Sequence, residues 1–469
     1  LLRDKFALFR FSRDYWILVA FIALLGLTAG SGRDDLPTLV VVRPLAILLC
    51  FYGLLGLTRE KWENHRRNLW LLGAAFALVL AYLVPLPPSL WQDSSTHRLI
   101  ADIDRVAGLG DIWRAYSVAP RRTLNAFFSL FVPAAALLLM IRIDREERWH
   151  LLLPVILFGA ASVMMALLQS AAPSAKALWF YRLTNDNIPV GLFANRNHAA
   201  VFHAALLPML AAMVQLPTQS VIWARVRVAF ALLLGLAAVV AVFASGSRAG
   251  LLTLPVAVIS VAFLWPKATA PSRRAKPSRL ARFPVLRSRG ALIAAAIVVA
   301  VAIGAISLKD NQPEGAAQRL AVASETDMRL GIWQQSVVIA KDNLPFGTGP
   351  GTFADVYRVY EPIETLGPNY INHAHNDALE MLVTMGVPGA LLLLVAVVAL
   401  LYSGWRLWFE QGTGSWQRNQ ARMAWVVLVV FGIASVVDYP LRVPSLSAVA
   451  IIFLCWITMS RQGKRGPST

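Results

Sequence analysis

Two groups of side chains have types and spacing that can do chemistry. The first is the run NYINHAHNDALEM, residues 369–381, where His373 and His375 stand among Asn372, Asn376 and Asp377 just before a long apolar stretch. The positive end of a helix dipole favours the neutral, proton-accepting form of a histidine, which suits a general base. A solvated helix cap is the plainer reading, and Asn372, Asn376 or Asp377 would serve for it. His373 and Asp377 are four residues apart and Glu380 continues that face, but this matches no HExxH or closed metal set, so metal is only weakly indicated. No DxD-type acidic pair stands out.

The second group is arginines at the ends of apolar stretches. Arg248 sits in ASGSRAGLL and Arg196 in GLFANRNHAA between Asn195 and Asn197, while Arg121, Arg122 and Arg442 lie at other ends. Charge at such depth is costly, so function is the default for Arg248; snorkelling to headgroups is the alternative for the others. Arginines meeting at a membrane boundary form a cradle for pyrophosphate, because guanidinium pairs bidentately with phosphate and is always charged. A lipid-linked pyrophosphate is the ligand this suggests.

The elements that must position these groups are membrane helices. Of 469 residues 57% are hydrophobic and 15% charged, with a mean hydropathy of +0.58, which excludes an ordinary water-soluble domain. Crossing about 30 Å of hydrocarbon takes about 20 apolar residues as a helix. Twelve stretches qualify, near 15–30, 36–57, 69–86, 121–141, 150–172, 197–216, 224–244, 249–265, 290–308, 377–402, 423–441 and 444–460, with Pro208 and Pro255 predicted to kink theirs. The N-terminal LLRDKFALFRFSRDYW is basic and lacks an A-x-A-like site, so the first stretch reads as an uncleaved span. Cys50 and Cys455 lie in apolar runs and offer no disulfide framework or metal pair.

The net charge of +18 reflects orientation and not nucleic acid. Segments assigned to the cytoplasm, from 1–14 to 461–469, carry 27 basic and eight acidic residues, including the basic loop 266–289; this is the positive-inside pattern. Both termini are then cytoplasmic. The division is 1–308 for spans one to nine with an outer segment at 87–120, 309–376 for a large outer loop, and 377–469 for spans ten to twelve and a tail. An outer loop of 68 residues is usually functional. Within it SETDMRLGIWQQSVVIAK, 324–341, reads as a helix capped by Ser324 or Thr326, with Met328, Ile332, Val337 and Ile339 broadly on its apolar side. After it, Gly347, Gly349 and Gly351 permit either a plain turn or a loop whose backbone N–H groups approach an anion.

Arg329 and Trp333 followed by PFGTGPGTF, then His375-Asn376 with Leu379, then MGVPG, resemble the O-antigen ligase and Wzy-type polymerase superfamily. GLFANRN and SGSRAG do so as well. The resemblance covers roughly 190–460; upstream only PPSLW and SVAPRRT match, weakly. It implies an all-α integral membrane protein of GT-C-like type, with about twelve helices and a partly helical periplasmic loop. It implies a metal-independent inverting glycosyltransferase of the bacterial inner membrane, with its site on the periplasmic face and no cofactor. The donor would be an undecaprenyl-pyrophosphate-linked glycan. Carried over by motif, His375 takes the acceptor proton, Arg248 and Arg329 bind and neutralise the departing pyrophosphate, and Arg196 is a further donor-site candidate. Asn376 is a candidate to orient His375. Asn195, Asn197 and Gly349 have supporting places, and Asp438, in VVDYPLR, is a candidate partner of Arg442 or another arginine.

Ligation to lipid A-core is the preferred reading, with polymerisation as the alternative and transfer to protein third. A transporter predicts charges at the bilayer midplane and internal repeats, neither of which is visible. A non-catalytic membrane scaffold predicts that His375 is dispensable.

Overall fold

The computed structural model describes residues 11–92, 94–110, 112–185, 187–218, 220–265, 328–363, 366, 370–410 and 416–459. The predicted span 290–308, the basic loop 266–289, the first part of the long loop with Ser324 and Thr326, and the tail 461–469 lie outside these residues.

The first half contributes α1 (Arg13–Thr28), α2 (Leu39–Leu55), α3 (Arg59–Ala81), β1 (Pro85–Leu86), α4 (Pro88–Trp91), α5 (Ser95–Val106), β2 (Arg114–Ala115), α6 (Pro120–Ser129), α7 (Phe131–Arg142) and α8 (Arg145–Arg148). Then follow α9 (Leu152–Ala171), α10 (Arg196–Met213), α11 (Val221–Ser245) and α12 (Arg248–Leu264). Beyond these come α13 (Met328–Asp342), α14 (Phe353–Tyr360), α15 (Asp377–Phe409), α16 (Trp416–Ala434) and α17 (Pro444–Met459). The β-structure among the described residues is one short antiparallel pair, Pro85 with Ala115 and Leu86 with Arg114.

Among the described residues, four helical stretches are long and apolar enough to cross a membrane: Pro120–Arg142, Arg145–Ala171, Val221–Ser245 and Asp377–Phe409. Leu39–Leu55, Arg248–Leu264 and Pro444–Thr458 are shorter apolar helices. The chain thus has the make-up of an all-α membrane protein.

At the centre stands α10, buried from Asn197 to Met213 and packed on α9, α11, α12 and α16. Its alanines allow that approach: a Cβ added to Gly250 of α12 would lie 2.4 Å from the Ala200 Cβ. Small residues bring membrane helices close enough for dispersion to hold them. α2 and α17 pack against α7, which extends the same core.

A second, smaller core gathers Ile332, Ile339, Phe353, Val356, Tyr357, Ala374 and Val383. It joins α13, α14 and the first turns of α15 into a lobe at one end of the bundle. Tyr82 fastens the lobe to the end of α3, its hydroxyl donating to the carbonyls of Phe346 and Met385 at 2.6 and 2.8 Å. The 87–120 segment joins in, with the Val118 N–H donating to the Thr348 carbonyl at 3.0 Å.

Three expectations change. α13 buries Ile332, Ser336, Ile339 and Ala340, whereas Met328 and Val337 are exposed, because the lobe covers a narrow stripe of the helix. α3 starts ten residues before its predicted apolar run, since Thr58 caps a polar first half by accepting the Lys61 N–H. The stretch predicted over 423–441 stops as a helix at Ala434, and 435–443 turns back across the bundle end.

Candidate active site

The seam between the two cores carries the reactive groups. α15 begins at Asp377 because Asn376 caps it, its side chain accepting the Leu379 N–H at 3.0 Å. The residue before the cap, His375, has φ +50°, a left-handed conformation that costs a non-glycine residue about 1–3 kcal/mol unless its surroundings hold it.

They do so on both sides of one residue. The Ala374 carbonyl accepts the Trp333 indole N–H at 2.9 Å, and the Ala374 N–H donates to Glu380 Oε2 at 2.9 Å. Glu380, 1% exposed, also contacts His373 Nδ1 at 3.0 Å and Arg442 Nη1 at 2.7 Å. Arg442 in turn donates through Nε to Asp377 at 2.8 Å. This buried network fixes the loop and directs His375 toward the 435–443 turn.

There His375 Nδ1 lies 3.1 Å from Asp438 Oδ1, a carboxylate with no exposure. A carboxylate only accepts, so Nδ1 carries the proton and Nε2 is left as the basic nitrogen. Burial alone would raise the Asp438 carboxyl, but the His375 hydrogen bond and the charges of His198, His375 and Arg329 outweigh it and hold it at about 2. His198 Nε2, from the first turn of α10, is 4.0 Å from the same oxygen. Tyr439 is the hub, with ring centroids 4.1 Å from His373, 5.0 Å from His198 and 5.2 Å from His375.

The predicted arginines stand in the first turns of three helices. Arg329, in the first turn of α13, is near enough to act electrostatically on Asp438. Arg248 opens α12 after Ser247, which caps the helix and donates its hydroxyl to Asn197 Oδ1 at 2.8 Å. Arg196 opens α10 after its cap Asn195 and lies over the same turn, its Nη1 4.0 Å from where a Gly246 Cβ would be. The motifs at 195–198 and 246–248 therefore form one corner, tied to Asp438 through His198.

Several predicted partnerships differ. Asp438 bonds His375 and not Arg442, because Arg442 is engaged by Asp377 and Glu380. Asn376 caps α15, and the side chain hydrogen-bonded to His375 is Asp438. The glycine loop is a structural turn: the N–H groups of Gly347, Thr348 and Gly349 donate to the carbonyls of Asn343, Val383 and Thr384. Gly349, at φ +108°, has its place because a Cβ there would meet the Ser117 side chain at 2.5 Å. Among the described residues no three His, Cys, Asp or Glu side chains are grouped to hold a metal ion.

His198, Glu380 and Tyr439 have no site role in the sequence reading. His198 adjoins GLFANRN and Tyr439 follows Asp438, so the signal lay in motifs already noted. Glu380 shares a face with His373 and Asp377, and was set aside there for lack of a metal pattern.

Residues 230–394 match the protein family described as O-antigen ligase. The match includes Arg248, Arg329, His375 and Glu380, while Arg196, Asp438 and Arg442 lie outside it. It supports an O-antigen ligase family protein, with ligase- or polymerase-type function on glycan and lipid-linked substrates in general. None of the curated proteins compared with the chain matches it.

Proposed function

We propose that the protein is an inverting glycosyltransferase that moves a glycan from undecaprenyl pyrophosphate to a sugar hydroxyl of lipid A-core. It works at the periplasmic face of the bacterial inner membrane, in a GT-C-like bundle of about twelve crossings with both termini cytoplasmic. The observation that carries the reading is His375, held by buried Asp438 through Nδ1 on a loop clamped at Ala374.

His375 Nε2 takes the proton of the acceptor hydroxyl as that oxygen attacks the anomeric carbon. The bond from that carbon to the pyrophosphate oxygen breaks on the opposite face, its electron pair leaves with the pyrophosphate, and the configuration inverts. A positioned base typically contributes about 10² to 10⁴ in rate. Asp438 keeps the tautomer and steadies the imidazolium. Arg329 and Arg248, with Arg196 beside them, supply cations for the charge that develops on the leaving group. Pyrophosphate leaves readily once neutralised, so the reaction proceeds without a metal.

Purified protein is given the lipid-pyrophosphate glycan with either lipid A-core or further donor as acceptor, beside His375→Ala. Glycan on lipid A-core, lost in the variant, supports ligation. Chains lengthening on the donor lipid alone make the protein a polymerase. Turnover unchanged in His375→Ala refutes the mechanism.

A further inference from the structure

A cavity of about 300 Å³ opens where the start of α2 meets α6, α7 and the loops at 31–34 and 370–373. Arg33, Arg43, Arg122 and Asn125 form its polar wall, and Leu130 and Pro133 belong to its apolar one. His373 also lines it, two residues before His375.

The arginines are not equivalent. Arg33 pairs with Asp35, and Arg122 with Asp34 and Asp355. Arg43 has Asn125 as its hydrogen-bond partner among the described residues, Nη1 donating to Oδ1 at 2.5 Å. Its Nε is buried without an acceptor. It stands one turn into the apolar helix LVVVRPLAILLC, where a cation is costly and tends to mark a ligand. Buried guanidinium N–H groups are normally satisfied, and among the described residues none accepts from this one.

Four lining arginines, Arg442 of the Glu380 network among them, against one lining acid, Asp34, favour an anion. Arginine forks fit tetrahedral phosphate oxygens, and the apolar wall fits a chain attached to the phosphate. We propose that this cavity binds the phosphate monoester of an amphiphile, at a site separate from the arginines at 196, 248 and 329. The amphiphile is either the phosphorylated acceptor glycolipid or the phosphatidic acid of the bilayer. The acceptor assignment rests on the glycan-transfer reading; phosphate binding does not.

The test is direct binding of dodecyl phosphate to the purified full chain in a neutral detergent. Arg43→Gln and Asn125→Asp, the latter supplying Arg43 with a carboxylate, are each expected to weaken binding about tenfold, as for loss of one charged hydrogen bond. Arg329→Gln and His375→Ala are expected to bind as the wild type does. Wild-type affinity in both cavity variants, or loss in Arg329→Gln alone, overturns the site. Inorganic phosphate competing as well as dodecyl phosphate overturns the amphiphile. Phosphorylated acceptor displacing the probe more strongly than phosphatidic acid vesicles identifies the source as acceptor, and the reverse order identifies it as bilayer lipid. Dodecyl phosphate binding that depends on Arg43, in a protein that transfers no glycan, leaves the cavity standing and the transferase reading refuted.

Discussion

Glu380 touches no reacting atom in the proposed mechanism, yet its replacement should slow transfer. Its carboxylate holds the Ala374 N–H, His373 and Arg442 together, and through them His375 at φ +50°. Glu380→Gln keeps the shape but removes the charge and turns one acceptor into an NH₂ group. That group must face one of three donors, leaving a buried donor unsatisfied at about 1–3 kcal/mol. The left-handed His375 costs about the same to maintain, so the clamp loses its margin and the loop relaxes. A shift of about 2 kcal/mol changes the population of the competent loop roughly 30-fold. The assay is steady-state transfer with the donor and acceptor varied in turn. kcat should fall by about 10- to 30-fold, with both KM values within about twofold, because Glu380 is shielded from substrate. Partial recovery in Glu380→Asp would follow from the restored charge. A folded Glu380→Gln protein with wild-type kcat would falsify the clamp, and a loss confined to KM would move Glu380 into a binding role.

Asp438→Asn should lower kcat by about 10²-fold, since an amide can present its NH₂ to Nδ1 and favour the wrong tautomer; an effect under threefold would remove Asp438 from the mechanism. The same residue sets a pH dependence. Its folded value of about 2 lies below the unfolded value near 3.9, so its stabilisation is present above pH ~4 and lost as pH falls through ~2, roughly 2–3 kcal/mol in all. The Tm gap between wild type and Asp438→Asn should therefore narrow as acid is added from pH 5, and a constant gap would contradict the assignment. Gly386→Ala places a Cβ 2.1 Å from the Pro345 carbonyl oxygen at φ +57°, and should destabilise by at least about 2 kcal/mol, read as a lower Tm. Chelator should leave transfer intact; activity lost and then restored by one divalent ion would establish a metal role.

Local signals located the chemistry better than they located its partners. The HAHND run and the arginines of SGSRAG and GLFANRN are neighbours of helix starts, and caps are written in adjacent residues: Asn376, Ser247 and Asn195 each precede the helix they cap. The His375–Asp438 bond spans 63 residues, beyond any periodicity. Asp438 was further obscured because VVFGIASVVDYPL is apolar enough to continue a span, whereas the helix ends at Ala434 so that Asp438 and Tyr439 can turn inward. Likewise Arg442 stands one turn from Asp438 in sequence, but the buried Glu380 and Asp377 compete for it more effectively. The exposed Met328 and Val337 show the same limit: apolar residues on α13 exceed the area that its small lobe can cover.

The distribution of the site along the chain also governs when it can exist. Its parts come from residues 196–198, 248, 329, 374–380 and 438–442, so the carboxylate bonded to His375 follows it by 63 residues. Chains are made from the N-terminus, so a nascent protein already holding Arg196, Arg248, Arg329 and both loop histidines still lacks Asp438 and Arg442. Until those arrive the His375 loop has neither its orienting carboxylate nor the guanidinium that neutralises Glu380. In the proposed mechanism, arrival of the 435–443 turn is thus the event that orients the base, and a chain that stops short of it transfers no glycan.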